Sequence, residues 1–319
     1  MQFQRMNIAG PSPAVHLYRP RQSSDNVPDS TGPGGSPMFP LRDPRVVARI
    51  DRLDLPFNAE GVDPYGVSRE HLELFYSAMA LVYDHYLRVT TFDVANVPSV
   101  GPAILVGNHS GGIAFDAAMA LTSLLLEPDV PRHAHGMVEY FLSSWPFAST
   151  WLARTGQFRG TPEHAERLLR DGRLLMVFPE GARGTGKLFS QRYQLERFGT
   201  GFMRLALQTG APVIPFAFVG GEEAFPTMLH LRGLARLVRA PYVPVPPQLV
   251  PVPLPIACQL YYGEPMYFEG DGRETDEVIA GHVSRVRNVI RRLIERGRAA
   301  RPNDFMLRRM PGEDEPLTR

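Results

Sequence analysis

His109 stands just past an apolar run, Ala103-Ile104-Leu105-Val106, with Gly107-Asn108 between, and six residues separate it from Asp116. An imidazole exchanges a proton near neutral pH. A carboxylate on its second nitrogen fixes the tautomer and stabilises the protonated ring. Together the two can remove a proton from a weak nucleophile such as an alcohol. The same residues also fit a plainer arrangement, in which each is satisfied locally and Asp116 simply caps the helix that follows. On this stretch alone both readings stand. Ser110, beside the histidine, raises a third: a serine nucleophile. The G-x-S-x-G elbow such a serine needs is absent, because Gly107-Asn108-His109-Ser110-Gly111 has the wrong spacing.

Two further stretches end in the same manner. Leu174–Phe178 is apolar and runs into Pro179-Glu180-Gly181-Ala182-Arg183-Gly184. Gly181 permits a tight turn that exposes backbone N–H groups, and the Arg183 guanidinium can hold a phosphate through two parallel hydrogen bonds. Val213–Val219 is apolar and runs into Gly220-Gly221-Glu222-Glu223. Buried strands that end in polar loops predict a site along the carboxyl edge of an open α/β sheet. Gly181–Lys187 also imitates the phosphate loop G-x-x-x-x-G-K, but the next residue is Leu188, not the Ser or Thr that would bind magnesium. The imitation is read as accidental.

The blocks Asn108-His109…Asp116, Phe178-Pro179-Glu180-Gly181-Ala182-Arg183 and Gly210-Ala211-Pro212-Val213-Ile214-Pro215 occur in this order. In order and rough spacing they resemble the glycerolipid and lysophospholipid acyltransferase family, across about Pro98 to Glu264. The His-to-Asp interval is longer than in the commonest family form and closer to branches resembling mono- and diacylglycerol acyltransferases. The resemblance implies a PlsC-like fold: α/β, with a mixed, largely parallel central sheet flanked by helices and an N-terminal helical segment. It implies O-acyl transfer from an acyl thioester, on coenzyme A or acyl carrier protein, to a lipid hydroxyl such as a lysophospholipid or 1-acylglycerol 3-phosphate. His109 and Asp116 would be catalytic. Asn108, Ser110, Gly111, Arg159, Glu180, Gly181 and Arg183 would bind substrate, with backbone N–H groups around Ser110-Gly111-Gly112 facing the oxyanion. Two rival functions remain: a lipid-binding protein of the same fold without catalysis, and a serine lipid hydrolase using Ser110.

The elements that must position these residues follow from period and punctuation. Met1 to about Arg42 is rich in Pro, Gly and Ser and is expected to be a disordered tail. Residues 43–96 are expected to form a helical segment, with a long helix from Ser68 to about Arg88. Its aromatic stripe (Leu72, Phe75, Tyr76, Met79, Val82, Tyr83, Tyr86) suits core packing or, alternatively, a membrane-facing or acyl-pocket wall. Residues 97–300 are expected to form the acyltransferase domain. Within it, strands are predicted at Thr90–Val94 (at its margin), His133–Val138 and Ile256–Tyr262. Helices are predicted through Trp145 and Trp151, over Glu163–Arg170 behind a Thr161 cap and Pro162, over Phe202–Gln208, and over Glu274–Arg298. Met228, Leu231, Leu234, Ala235 and Val238 would form the apolar face of a short basic helix suited to an anionic membrane. Tyr242–Pro255 would be an irregular apolar loop, and the chain after residue 300 a loose tail.

Composition narrows the partners. The 319 residues carry a net charge of +1, so no global field favours nucleic acid. Hydrophobic residues make up 44%, an ordinary globular share. The lone cysteine, Cys258, lies in an apolar run; it can form neither an intrachain disulfide nor a Cys-based zinc site, and is read as a core residue. His133 and His135 alone do not make a metal site, and no resident cofactor is expected. Nearly all basic residues are arginine, as in a GC-rich bacterial genome, and Lys187 is the single lysine. No run approaches the ~20 apolar residues of a membrane span. The expectation is a cytoplasmic protein that meets its lipid acceptor at the membrane surface.

Overall fold

The computed structural model of the chain describes residues 42–138, 148–231, 233, 235 and 241–301. The expected tails apart from Arg42 and Arg301, the Trp145 end of one predicted helix, and Leu234 and Val238 of the basic helix lie outside these residues. In order, the elements are α1 (Pro44–Ile50), α2 (Arg69–Leu81), β1 (Thr90–Phe92), β2 (Ala103–Gly107), α3 (Phe115–Leu126), β3 (Ala134–Val138), α4 (Ala148–Arg154), β4 (Gln157–Arg159), α5 (Pro162–Arg170), β5 (Leu174–Val177), α6 (Ala182–Thr185), α7 (Gly201–Thr209), β6 (Val213–Val219), α8 (Gly221–Ala224), β7 (Leu229–His230), β8 (Pro244–Val245), β9 (Gln259–Tyr262) and α9 (Asp276–Ala299).

Seven strands form one sheet in the order β1-β9-β6-β2-β5-β3-β4. The pairings β6–β2, β2–β5, β5–β3 and β3–β4 are parallel; β9 runs antiparallel to β6, and β1 parallel to β9. The sheet is therefore mixed and largely parallel, as expected. A strand covered on both faces reads as an unbroken apolar run. In β2, Ala103 and Leu105 join the core beneath α1–α3, while Ile104 and Val106 join the core beneath α5, α7 and α9. Leu174 and Met176 of β5 repeat the division against Leu175 and Val177.

The aromatic stripe packs inward. Leu72, Tyr76 and Tyr83 are buried in the first core, with Phe75, Met79, Val82 and Tyr86 packed against it. The long helix continues beyond α2 as a π-helical turn over Val82–Tyr86. Thr161 caps α5, accepting the His164 N–H at 3.4 Å, with Pro162 in the first turn. His133 and His135 are buried, as is Cys258. None of the described helices is long and apolar enough to cross a membrane.

Parallel alignment sends β2, β3, β4, β5 and β6 out at one edge. Register sets Val106 opposite Val177 and Gly107 opposite Phe216, so the loops after β2 and β5 leave at nearly one level while β6 runs on to Val219 beside the β2 loop.

Candidate active site

At that edge the β2 ladder ends at Gly107, and a side chain takes over from the backbone. Asn108 Nδ2 donates to Phe218 O at 3.0 Å, and its Oδ1 accepts the Phe218 N–H at 2.9 Å. The amide, 1% exposed, thus extends the β2–β6 pairing by two groups and fixes where His109 begins. Gly107 has its own steric reason: a Cβ there would stand 2.3 Å from the Phe216 ring.

His109 is held on three sides. Its Nδ1 meets Asp116 Oδ2 at 2.8 Å. Its ring stacks on Phe178 at 4.2 Å between centroids and 21° between planes. Its backbone N–H donates to Glu180 Oε1 at 2.9 Å, a bond from the β2 loop to the β5 loop. Nε2 meets no described residue. Asp116 does not cap α3; that place falls to Ala114, and Asp116 lies inside the first turn. Its carboxylate also accepts the Ser110 N–H at 2.7 Å and its own helix's Ala117 N–H at 2.8 Å. With the histidine and serine N–H groups taken by Glu180 and Asp116, those of Gly111 and Gly112 meet no acceptor among the described residues. An imidazole so held, with Nδ1 on a buried carboxylate, has Nε2 available to accept a proton.

Ser110 points elsewhere. Its Oγ is buried without a hydrogen-bond partner and lies against Gly221, where a Cβ would be 2.4 Å away. With Gly111 and Asp116 it borders a space of only about 10 Å³. The larger cavity, about 350 Å³, opens on the other side, with His109, Ala117, Met137, Met176, Phe178 and Arg159 among its walls. Gly181 is also on it, with φ +58°, closing a turn by donating its N–H to Phe178 O at 2.9 Å. Arg159 is exposed at its rim, at the end of the edge strand β4. Arg183 is off this cavity, and its guanidinium donates to Arg197 O at 2.9 Å.

The nine expected site residues therefore sort by position. His109, Arg159 and Gly181 face the cavity. Asp116 and Glu180 are buried behind His109 and bonded to it, and Asn108 is buried next to it in the chain and bonded across to Phe218 of β6. Ser110 and Gly111 turn toward the small space, and Arg183 lies outside.

Four residues that sequence reasoning did not place at the site belong there. Phe178 supplies the stacking face. Gly184 lets α6 press on the histidine: a Cβ would be 2.8 Å from both His109 Cβ and Glu180 Cβ. Lys187 and Glu222 lie behind Glu180. Lys187 Nζ stands 3.4 Å from Glu180 Oε2 and 3.5 Å from Glu222 Oε1, with all three side chains at most 5% exposed. Burial would lower the Lys187 ammonium, but Glu222 and Glu180 outweigh it and hold it above its ordinary value. Burial pushes the Glu222 carboxyl up to about 7, against the pull of Lys187. The singularity of Lys187 in the sequence and the acidic pair after β6 were the available signals; which groups they meet depends on the fold.

The acyltransferase family model matches residues 88–219, from just before β1 to the end of β6. An uncharacterised protein of Mycobacterium leprae (strain TN) is 33% identical over 259 residues, covering 77% of this chain and 68% of that protein. One from Mycobacterium tuberculosis (strain ATCC 25618 / H37Rv) is 33% identical over 260 residues, covering 77% and 70%. A human protein, named DGAT1/2-independent enzyme synthesizing storage lipids, is 24% identical over 210 residues, covering 63% and 59%. Among solved structures, the 1-acyl-sn-glycerophosphate acyltransferase of Thermotoga maritima superposes with a TM-score of 0.50 at 18% identity, covering 72% of this chain and 81% of that one. That likeness is one of fold.

Proposed function

The chain belongs to the acyltransferase family, and from that premise we propose that it transfers a fatty acyl group from an acyl thioester to a glycerolipid hydroxyl, with His109 as general base. The observation that carries this reading is the His109 Nδ1–Asp116 Oδ2 contact of 2.8 Å, set at the wall of the cavity with Nε2 unengaged among the described residues. Nε2 takes the hydroxyl proton as the oxygen attacks the thioester carbonyl. The tetrahedral oxyanion is assigned to the Gly112 N–H, which follows the histidine loop and meets no acceptor among the described residues. Its collapse breaks the carbon–sulfur bond, and the leaving thiolate receives the proton from the imidazolium. General-base assistance of this kind contributes about 10²–10⁴-fold, and Asp116 stabilises the charged ring meanwhile.

Apolar walls suit a lipid chain, and Arg159 at the rim suits an anionic headgroup such as a phosphate. Arg183 is assigned to the same headgroup from outside the cavity. The donor is an acyl group on coenzyme A or acyl carrier protein. The acceptor is a lysophospholipid, 1-acylglycerol 3-phosphate or a monoacylglycerol; the name of the human relative, an enzyme synthesizing storage lipids, supports a role in lipid synthesis. Met228, Leu229, Leu249, Val250 and Val252 expose apolar side chains around β7 and β8, which supports contact with a membrane surface. The serine-hydrolase reading is disfavoured, because Ser110 Oγ is buried, unpartnered and off the cavity.

The test is transfer from radiolabelled acyl-CoA to lysophosphatidate, other lysophospholipids and monoacylglycerol, beside His109→Ala, repeated with acyl carrier protein. Product from one acceptor class, lost in the variant, is expected. Full activity in His109→Ala overturns the base assignment. Lipid binding without product from either donor leaves a binding protein of this fold.

A further inference from the structure

Lys187 is an unusual residue to enclose, its side chain being 2% exposed. An ammonium taken out of water is costly unless counter-charges and acceptors meet it. Here Glu180 and Glu222 supply the charge, and Gln194 O accepts at 2.9 Å. Glu180 has other obligations. Its Oε1 accepts the His109 N–H at 2.9 Å, and its Oε2 accepts the Glu196 N–H at 2.8 Å. One ammonium therefore serves two buried carboxylates, and one of those carboxylates grips the main chain of the histidine.

We propose that Lys187 is a positioning residue of the active site, acting on His109 through the Glu180 carboxylate. The proposal rests on the acyl-transfer reading above. Lys187 does not line the cavity and touches no reacting atom. Its effect is geometric. Asp116 and Phe178 orient the imidazole from the side chain outward, whereas Glu180 sets the backbone from which the imidazole hangs. Without the ammonium, Glu180 Oε2 loses the ion pair that holds it against the loop after α6 and keeps only the Glu196 N–H. The carboxylate is then free to turn, and its two oxygens no longer sit opposite both N–H groups at once. Either the His109 or the Glu196 contact is then lost, and the loop that carries His109 relaxes. A misplacement of about 1 Å in a catalytic group costs on the order of 10²-fold.

A lysine that merely ties the loop after β5 to the end of β6 would behave differently. Its removal would lower the melting temperature and the yield of folded enzyme, and the folded fraction would turn over normally. A positioning lysine loses turnover in the folded enzyme, and loses it only while Glu180 is there to be positioned.

The experiment is a double-mutant cycle on the full chain with Lys187→Met, Glu180→Gln and the double variant. Initial rates are measured with acyl-CoA and the acceptor the wild type uses, normalised to folded protein from thermal melts. Lys187→Met is expected to lower kcat by about ten- to a hundredfold, with KM within about threefold, a split that marks an effect made in the transition state. In the Glu180→Gln background the same substitution is expected to change kcat by less than about twofold, because residues in one network are not additive. Wild-type kcat in folded Lys187→Met, or the same loss with and without Glu180, overturns the proposal. Where Lys187→Met does not fold, the cycle is run with Lys187→Arg, which keeps the charge but not the ammonium's contacts; the same non-additivity is expected, and additivity overturns. Failure of the underlying reading looks different: the wild type itself then yields no product with any acceptor and either donor, and the positioning role falls with it.

Discussion

Asp116→Asn tests the proposed mechanism with the smallest change of shape. The carboxylate is 1% exposed and accepts three N–H groups, two of them, from His109 and Ser110, on the single oxygen Oδ2. An amide has one acceptor oxygen and one donor nitrogen. With its oxygen in the Oδ2 place it keeps His109 and Ser110, gives up the bond from the Ala117 N–H, which its NH2 now faces, and takes the charge off the bond to the imidazole. A charge-assisted hydrogen bond is worth ~1.5–3 kcal/mol and a neutral one ~0.5–1.5. The difference of about 1–1.5 kcal/mol is roughly a tenfold loss in stabilising the imidazolium. With the amide reversed, Nδ1 must present its lone pair, Nε2 carries the proton, and the base is lost; an inverted tautomer alone can cost about 10⁴-fold. The expected kcat is therefore lower by about tenfold to 10⁴-fold, at little-changed KM. The assay is release of the free thiol from acyl-CoA at saturating acceptor, beside His109→Ala and the double variant. Asp116→Asn within threefold of wild type, or a double variant clearly slower than His109→Ala, would refute the pairing as the source of catalysis.

Two further outcomes concern stability. Asn108→Ala leaves the N–H and C=O of Phe218 buried without their partners, at roughly 1–3 kcal/mol for each group; a urea midpoint equal to wild type would show that the clamp is dispensable. Burial lowers His133 from 6.5 to about 3 and, with the neighbouring His133, drives His135 well below its ordinary value. The unfolded chain thus binds more protons than the folded one below pH 6.5, and stability is whole above that pH and falls as pH drops toward 3. At pH 5 His133 accounts for about 2 kcal/mol, and His135 adds a loss of the same sign, so the urea midpoint should fall between pH 7.5 and pH 5; an unchanged midpoint would contradict the buried, neutral state of both rings.

The central strands were legible because they are covered on both faces and so are apolar throughout, and because each ends in a loop of a different chemical kind. Ala103–Val106, Val213–Val219 and Leu174–Phe178 were read within a residue of β2, β6 and β5. The edge strand β4 was not foreseen: Gln157-Phe158-Arg159 has no period to read, and only pairing with β3 makes it a strand. The same divide runs through the site. His109 and Asp116 are near in sequence and could be paired on paper. Glu180 and His109 are 71 residues apart, and the bond between them depends on two strands ending at one level. The choice between a lysine for phosphate and a lysine for carboxylates likewise depended on burial, which the phosphate-loop likeness of Gly181–Lys187 does not encode.

The interval between His109 and Asp116 shows what a motif spacing stands for. Six residues are too many for a short direct turn, yet the two side chains meet at 2.8 Å. The surplus is taken up locally. Gly111 and Gly112 adopt φ of +80° and +65°, which only glycine enters freely. Ile113 N–H then closes back on Gly111 O, and Phe115 N–H on Ile113 O. The loop folds on itself before α3 begins, so Asp116 reaches the imidazole from inside the first helical turn. Space enforces the same path, since a Cβ at Gly111 would be 2.7 Å from Gly221 O and one at Gly112 2.5 Å from the Phe225 ring. What must be kept is therefore the end point, a carboxylate on Nδ1 of an imidazole that stands at the cavity wall. The number of residues between the two can change wherever glycines absorb the difference and the end of β6 leaves room for them.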